Sequence, residues 1–147
     1  LSPRLIEVAQ KYFAREPAFA FMQSGASEYV AEAANPQRFN KVLCYGSFSY
    51  FSRDQACNIL KQLYTRFNCV SHVFIGNLPD RELAHLIYKP YGFTQEELDD
   101  HASPIGIWRT RRDFVELAQA SGWRAEISTM PERYYAAHYR YDVLLTR

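Results

Sequence analysis

Glycine is scarce in this sequence, with six residues among 147. No GxGxxG or GxxxxGK[ST] run occurs anywhere along the chain. Such runs form the glycine-rich loops that hold phosphate groups in many nucleotide-binding enzymes. Their absence argues against a nicotinamide-dependent or nucleotide-sugar enzyme.

Cysteine is also rare, and its three copies, Cys44, Cys57 and Cys69, lie far apart within apolar runs. An odd number of widely spaced cysteines is typical neither of a disulfide framework nor of a zinc site. We therefore expect buried, reduced thiols, as in a cytoplasmic protein.

Long hydrophobic runs and an excess of one charge are missing as well. No apolar stretch approaches the roughly 18 residues that a membrane-spanning helix needs, and the first residues lack the layout of a signal peptide. Seventeen basic and 16 acidic residues leave a formal charge of +1, so no broad basic surface for nucleic acid is expected. We expect an intracellular protein, cytoplasmic and soluble, with no membrane and no nucleic-acid partner.

The chain has instead what a folded domain needs, since 48% of its residues are hydrophobic and 16% aromatic. Its length is that of one domain, and we treat residues 1–147 as such. Helix-start signals predict helices after Ser2-Pro3, at 28–34, after Ser52, after Thr94 and after Thr110. Short apolar or alternating runs predict strands at 19–23, 42–45, 70–75, 124–128 and 140–146.

Strands that alternate with helices predict the α/β class, with a mostly parallel sheet and a final antiparallel hairpin. Residues 80–108 fit no simple crossover between two strands. A connection of this length is commonly a lid or a substrate-binding insertion.

Four segments, in their order and spacing, resemble the class I S-adenosylmethionine-dependent methyltransferases, which have a Rossmann-like sheet. The segments are Leu1-Ser2-Pro3 with Ala9, residues 42–51 followed by Ser52, residues 108–123, and residues 139–145. The resemblance covers nearly the whole chain and implies that S-adenosylmethionine is the cofactor.

The resemblance also implies parts that this sequence does not contain. The family's glycine-rich turn, and the acidic residue that holds the cofactor ribose, would lie upstream of Leu1. Gly25 stands where many relatives carry an aspartate that binds the adenine. The family's first two strands would lie between those predicted at 19–23 and 42–45, so we expect the sheet to be incomplete at the N-terminus. A missing N-terminal segment or a partner chain is expected to complete it, because unpaired buried backbone groups are costly.

Ligands of open α/β sheets bind beyond the carboxyl ends of the strands, and the family pattern implies which residues serve here. The implied cofactor contacts are Ser24, Gly25 and Ala26 at the adenine and Cys44, Tyr45 and Gly46 at the end of the central strand. The implied substrate contacts are Ser49, Tyr50, Asn77 and Tyr135. An ordinary loop at 24–26 and simple core packing of Cys44 and Tyr45 remain alternatives.

Methyl transfer to oxygen or nitrogen requires a positioned nucleophile, and a histidine base helps when that nucleophile carries a proton. His101, in the insertion, and His138, in the final hairpin loop, are the candidates. Adjacent residues on a helix diverge, so Asp99, Asp100 and His101 are not expected to bind a metal. Arg109, Arg111 and Arg112 are expected to form a solvated face, with recognition of an anionic substrate as the alternative.

These observations predict a methyltransferase that acts on a small-molecule O or N acceptor. The alternative is a methyltransferase-like domain that does not bind the cofactor and serves as an interaction or assembly module.

Overall fold

The structure, a computed structural model, describes residues 2–88 and 92–147. The chain divides into two compact units, Leu1–Ala33 and Ala34–Arg147. Each unit is described below by itself.

The first unit contains two helices, α1 (Pro3–Phe13) and α2 (Ala26–Glu32). Pro3 occupies the first turn of α1 as predicted, but the Ser2 side chain does not cap the helix. The apolar face of α1 is exposed, and Val30 of α2 is the one buried residue among the described residues of this unit.

The strand predicted at residues 19–23 is wrong. Phe19 forms only an isolated bridge to Arg15, with N–O distances of 2.8 and 2.9 Å, and the residues after it have no regular structure. An extended segment becomes a strand only when a neighbouring strand offers it a ladder of hydrogen bonds. Within the part of the chain that the structure describes, none pairs with this segment.

The second unit is built on a four-stranded mixed sheet in the order β1-β2-β4-β3. The strands are β1 (Lys41–Tyr45), β2 (His72–Pro79), β3 (Arg124–Thr129) and β4 (Arg140–Thr146). The β1–β2 pair is parallel, whereas β4 runs antiparallel to both β2 and β3. The predicted α/β class and the C-terminal antiparallel hairpin are confirmed.

Three helices accompany this sheet, α3 (Arg53–Thr65), α4 (Gln95–Asp99) and α5 (Arg111–Ala120). Each begins with the predicted capping box, in which a hydroxyl and an N3 side chain exchange hydrogen bonds with the backbone. Helix α5 packs against β3 and α3. The indole of Trp123 donates to the Leu60 carbonyl at 3.0 Å and ties the hairpin to α3.

The two faces of the sheet differ in burial. Side chains on one face form the core, with Val73, Ile75, Val143 and Leu145 almost fully buried. On the other face, Leu43 is 72% exposed and lines a cavity of about 420 Å³ with Phe74 and Leu144. β1 is a terminal strand of the described sheet, so one of its edges has no neighbouring strand there.

The described parts of the insertion, 80–88 and 92–108, contribute to a small second core. Ala84, Leu98 and Trp108 are buried together with Tyr139 from the hairpin loop. Arg81 fastens this segment, because its guanidinium donates to the Asp99 carboxylate and to the Trp108 carbonyl. The insertion is therefore packed onto the hairpin.

The cysteine prediction is correct only in part. All three thiols are free, but Cys69 is exposed and the other two are half-buried. No helix among the described residues is long and apolar enough to cross a bilayer.

Candidate functional site

The carboxyl end of β1 lies beside Gly76, an interior residue of β2. The Gly46 N–H donates to the Gly76 carbonyl at 3.0 Å and extends the ladder by one residue. Gly46 then turns away with φ +71°, a conformation that glycine adopts without steric cost. The ring of Tyr45 lies directly over Gly76, which has no side chain to obstruct it.

A bulge in β2 places Asn77 beside this strand end. The register of β2 against β4 shifts between Ile75 and Leu78, and Asn77 adopts a left-handed φ of 67°. A Cβ atom built on Gly46 would lie 3.4 Å from Asn77 Nδ2. The structure thus brings together Gly46 and Asn77, which the sequence analysis assigned separately to cofactor and substrate.

Two side chains of β4 hold the backbone of Asn77. Its N–H donates to Asp142 Oδ1 at 2.8 Å, and its carbonyl accepts a hydrogen bond from Arg140 Nη1 at 2.6 Å. Because bulges re-aim side chains near many active sites, this arrangement marks the strand end as the candidate site.

The thiol of Cys44 lies next to this strand end. Its Sγ is 3.7 Å from the Ser47 hydroxyl oxygen. Burial raises the pKa of the Cys44 thiol, although the Ser47 contact opposes the shift. A thiol with a raised pKa is a poor nucleophile at neutral pH, so this side chain is not a candidate nucleophile.

Ser49 and Tyr50, predicted to contact substrate, both contact the insertion. Ser49 is 2% exposed, and its carbonyl accepts from Ile107 N–H at 2.7 Å. Tyr50 donates through its hydroxyl to the Pro104 carbonyl at 2.7 Å. These bonds attach the insertion to the loop after β1, and they leave the Tyr50 ring more accessible than Ser49.

The loop between β3 and β4 carries the second polar cluster. His138 and Tyr135 line a cavity of about 550 Å³ together with Glu132, Arg133 and Tyr134. Tyr135 is 94% exposed, and the His138 ring packs edge-on against Tyr139 at 5.0 Å between centroids. The lining of the cavity includes aromatic, cationic, acidic and imidazole side chains.

His101 lies apart from this cluster, exposed in the turn after α4. The neighbouring Asp99 is bonded to Arg81. No group of three or more potential metal ligands occurs within residues 2–88 and 92–147. That the protein uses no metal stays a prediction.

In the first unit, Gly25 is the N-cap of α2. Its carbonyl accepts from Tyr29 N–H at 2.8 Å, and the Ser24 hydroxyl donates to the same carbonyl at 3.3 Å. A Cβ atom at Gly25 would lie 3.7 Å from Glu28 Oε2. Ala26 is exposed at the first position of the helix.

Sequence analysis missed a buried charged cluster at the end of β2, and the expected solvated face at Arg109, Arg111 and Arg112 is wrong in part. Arg109 is 7% exposed and donates to the Phe51 carbonyl at 2.6 Å; burial lowers its pKa. Arg111 pairs with the buried Asp80 at 2.8 Å. Only Arg112 is a solvated residue.

Tyr141 completes this cluster. Its hydroxyl donates to the Arg109 carbonyl at 3.3 Å, and burial raises its pKa well above the ordinary range. Asp142, which holds the Asn77 backbone, could have been noticed in the sequence, because it is the one charged residue in the otherwise apolar run 141–145.

No protein-family model and no curated protein matches this sequence. Among solved structures, the chain is similar to the methyltransferase domain of bacterial CtHen1-CN, with 13% identity and a TM-score of 0.63. That alignment covers 100% of this chain and 75% of the other chain.

Two further structures show the same similarity. Magnesium protoporphyrin IX methyltransferase (ChlM) from Synechocystis PCC 6803, with bound SAH, is 12% identical with a TM-score of 0.61. The alignment covers 96% of this chain and 57% of that one. The small RNA methyltransferase HEN1 is 15% identical with a TM-score of 0.57, and 82% of this chain matches 15% of it.

These similarities establish the fold. The chain has the class I methyltransferase fold that the resemblance predicted.

Proposed function

We propose that this protein is an S-adenosylmethionine-dependent methyltransferase that acts on an oxygen or nitrogen atom of a small molecule. The observation that carries the proposal is the end of β1, where the Asn77 carboxamide nitrogen lies 3.4 Å from the position that a Gly46 Cβ atom would occupy. The solved methyltransferases of the same fold support it, one of them with bound SAH.

The residues at this strand end fit such a cofactor. Gly46 has no side chain to obstruct a ligand, and a carboxamide and backbone carbonyls can hydrogen-bond an amino group. In the proposal, Cys44, Tyr45 and Gly46 contribute their backbone to the cofactor site. Ser24, Gly25 and Ala26 are assigned to the adenine by their place in the family pattern, and this assignment has its own test in a Gly25→Asp variant.

When bound, S-adenosylmethionine supplies an electrophilic methyl group. The role of the chain is then to position the acceptor and to accept its proton. Tyr135 and Tyr50 are proposed to contact the acceptor. His138 is proposed as the base, because it lines the hairpin-loop cavity together with Tyr134 and Tyr135. His101 is the second candidate for this role.

A small-molecule acceptor agrees with the size of the hairpin-loop cavity. Its volume of about 550 Å³ lies within the range of about 300–1,000 Å³ that is typical of small-ligand pockets. A cytoplasmic location is part of the same proposal, supported by the three unpaired thiols.

Calorimetric titration with S-adenosylhomocysteine, carried out on the chain completed by its upstream segment or partner chain, tests the cofactor assignment. We expect saturable binding, and we expect Gly46→Ala to weaken it by at least about tenfold, because the added methyl group enters the site. Gly92→Ala is the matched control. Gly92 has φ +72°, close to the +71° of Gly46, but lies in open space.

The alternative function, an interaction module without cofactor, is favoured by one observation. The sheet presents an apolar face with Leu43, Phe74 and Leu144 along a cavity, and large exposed apolar patches mark many interaction sites. If the folded chain, completed by its upstream segment or partner chain, gives no heat with S-adenosylhomocysteine, the module is favoured and the enzyme proposal fails.

We also propose that an additional strand, from an upstream segment or a partner chain, pairs with β1. Its support is the terminal place of β1 in the sheet and the exposure of Leu43 and Tyr45. In the 147-residue chain, the β1 amide groups that point away from β2 are expected to exchange hydrogen quickly, because no neighbouring strand accepts their hydrogen bonds. A single sharp calorimetric transition of a monomer, with protected β1 amides, would contradict the proposal.

A further inference from the structure

The bulge in β2 leaves an unequal count of residues across the β2–β4 pair. The register shifts between Ile75 and Leu78. Two residues of β2, Gly76 and Asn77, therefore lie opposite a single residue of β4, Asp142. A bulge of this kind interrupts the backbone ladder and leaves groups that need other partners.

Side chains of β4 supply those partners. The Asp142 carboxylate accepts from the Asn77 N–H at 2.8 Å, and the Arg140 guanidinium donates to the Asn77 carbonyl at 2.6 Å. The negatively charged Asp142 side chain thus binds the Asn77 N–H, and the positively charged Arg140 side chain binds the Asn77 carbonyl. Charge-assisted hydrogen bonds are about twice as strong as neutral ones.

Asp142 is a buried charged residue, and its hydrogen bond with the Asn77 N–H accounts for a carboxylate at this position. Asp142 is 8% exposed, and its neighbours Tyr141 and Val143 are fully buried. A carboxylate in such a position is costly unless it is hydrogen-bonded. Its hydrogen bond within the described chain is the one from Asn77. Arg140 is also partly withdrawn from solvent, with its Nε buried.

The backbone held in this way directs the Asn77 side chain. Asn77 has a φ of 67°, and it is the one non-glycine residue with positive φ among residues 2–88 and 92–147. Its Nδ2 lies 3.4 Å from the point where a Gly46 side chain would begin. The structure records no hydrogen bond of this carboxamide within the same residues, so the group is available to a ligand.

We propose that Asp142 and Arg140 are positioning residues that clamp the Asn77 backbone and so present its carboxamide at the end of β1. Asn77, not the clamp, contacts the ligand. The link to ligand binding rests on the proposed function, whereas the clamp itself is a property of the chain alone.

NMR spectroscopy of the chain tests the clamp directly. In the wild-type protein we expect a nuclear Overhauser effect between the Asn77 carboxamide protons and a Gly46 Hα, together with slow exchange of the Asn77 N–H. Asp142→Ala is expected to abolish the first and to accelerate the second by at least about tenfold, since its acceptor is lost. Asp142→Asn, which keeps an acceptor oxygen, is expected to retain both signals.

Two further variants separate positioning from general stability. Val143→Ala removes buried volume on the opposite face of β4 and is expected to leave both signals unchanged. Arg140→Ala removes the hydrogen bond to the Asn77 carbonyl. If Asp142→Ala does not fold, loss of the carboxamide signal in Arg140→Ala is the result that tests the clamp. The proposal is overturned if the carboxamide signal survives in the folded clamp variants, or if Val143→Ala loses it equally.

Titration with S-adenosylhomocysteine then distinguishes the two proposals. Loss of one positioned hydrogen bond predicts an increase in its Kd of about fivefold in Asp142→Ala, and near wild-type binding in Asp142→Asn. If the wild-type chain does not bind this probe even when it is completed by its upstream segment or partner chain, the proposed function fails, and the clamp is judged by the NMR signals alone. If the probe binds equally to all variants while the signals change, the clamp exists but does not serve this ligand.

Discussion

Gly76 is required by its contact with Tyr45 rather than by an unusual backbone conformation. A Cβ atom at Gly76 would lie 2.5 Å from Tyr45 Cδ2 and 2.8 Å from Phe74 Cε1. Both distances are far inside van der Waals contact. The glycine therefore lets one aromatic ring of an edge strand cover the backbone of the next strand.

Gly76→Ala is expected to lower the free energy of unfolding by about 1–3 kcal/mol, as overpacking typically does. Urea denaturation measures this change. Tyr45→Ala in the same chain should restore part of the loss, because the nearest clash is with that ring. Gly25→Ala, where the nearest atom is 3.7 Å away, is the control for the substitution itself. Equal losses in both single variants would refute the crowding argument.

The candidate site was predictable at the positions that follow strands and unpredictable where partners come from distant sequence. Gly46 and Asn77 each stand after an apolar run, and the parallel β1–β2 pairing brings them together. Asp142 is 65 positions from Asn77 in the sequence, and no local sequence pattern predicts their hydrogen bond. Burial of Arg109 has the same origin, because its partner Phe51 is 58 positions away.

The starts of helices α3, α4 and α5 followed local rules and were predicted well, whereas Ser2 does not cap α1 and α2 begins two residues before its predicted start. The three capping boxes form as expected, at Ser52 with Gln55, Thr94 with Glu97, and Thr110 with Asp113. Strand bounds were less accurate, since Gly76 and Asn77 indicated the end of a strand that in fact continues through a bulge to Pro79. A glycine inside an apolar run permits both outcomes, and only the pairing with β4 decides between them.

The Thr110–Asp113 box predicts a pH dependence. The hydrogen bond from the Thr110 side chain lowers the pKa of Asp113 below its ordinary value. A carboxylate with a lowered folded-state pKa stabilises the fold above its unfolded pKa of about 3.9, and that stability is lost as pH falls through the folded pKa. Asp113→Ala should cost about 1 kcal/mol at pH 7, and the difference from wild type should shrink below about pH 4.

The Ser52–Gln55 box is the matched control, because it has the same geometry with a neutral side chain at N3. Gln55→Ala is expected to lower the stability of the chain by an amount that does not change between neutral and acidic pH. Unfolding curves recorded for both variants across this range provide the comparison. A pH-independent difference for Asp113→Ala would exclude a contribution from its charge.

The two units of the chain contain very different amounts of buried surface. The second unit has a continuous core between the sheet and helices α3 and α5, and a smaller one beneath the insertion. The first unit has one buried side chain, Val30, among its described residues. Composition and element order predicted the α/β class correctly, but overall hydrophobicity does not reveal which apolar faces are covered.

This imbalance predicts unequal local stability. Because α1 has an exposed apolar face and no buried residue, its amides should exchange hydrogen within about tenfold of the rate of an unfolded peptide. The central strands β2 and β4, whose inward side chains are fully buried, should be protected by at least about 1,000-fold. Hydrogen exchange read residue by residue measures both. Comparable protection of α1 and β2 in the 147-residue monomer would show that helix α1 is stabilised by contacts absent from this structure, and the apolar face of α1 would then no longer count as a free surface.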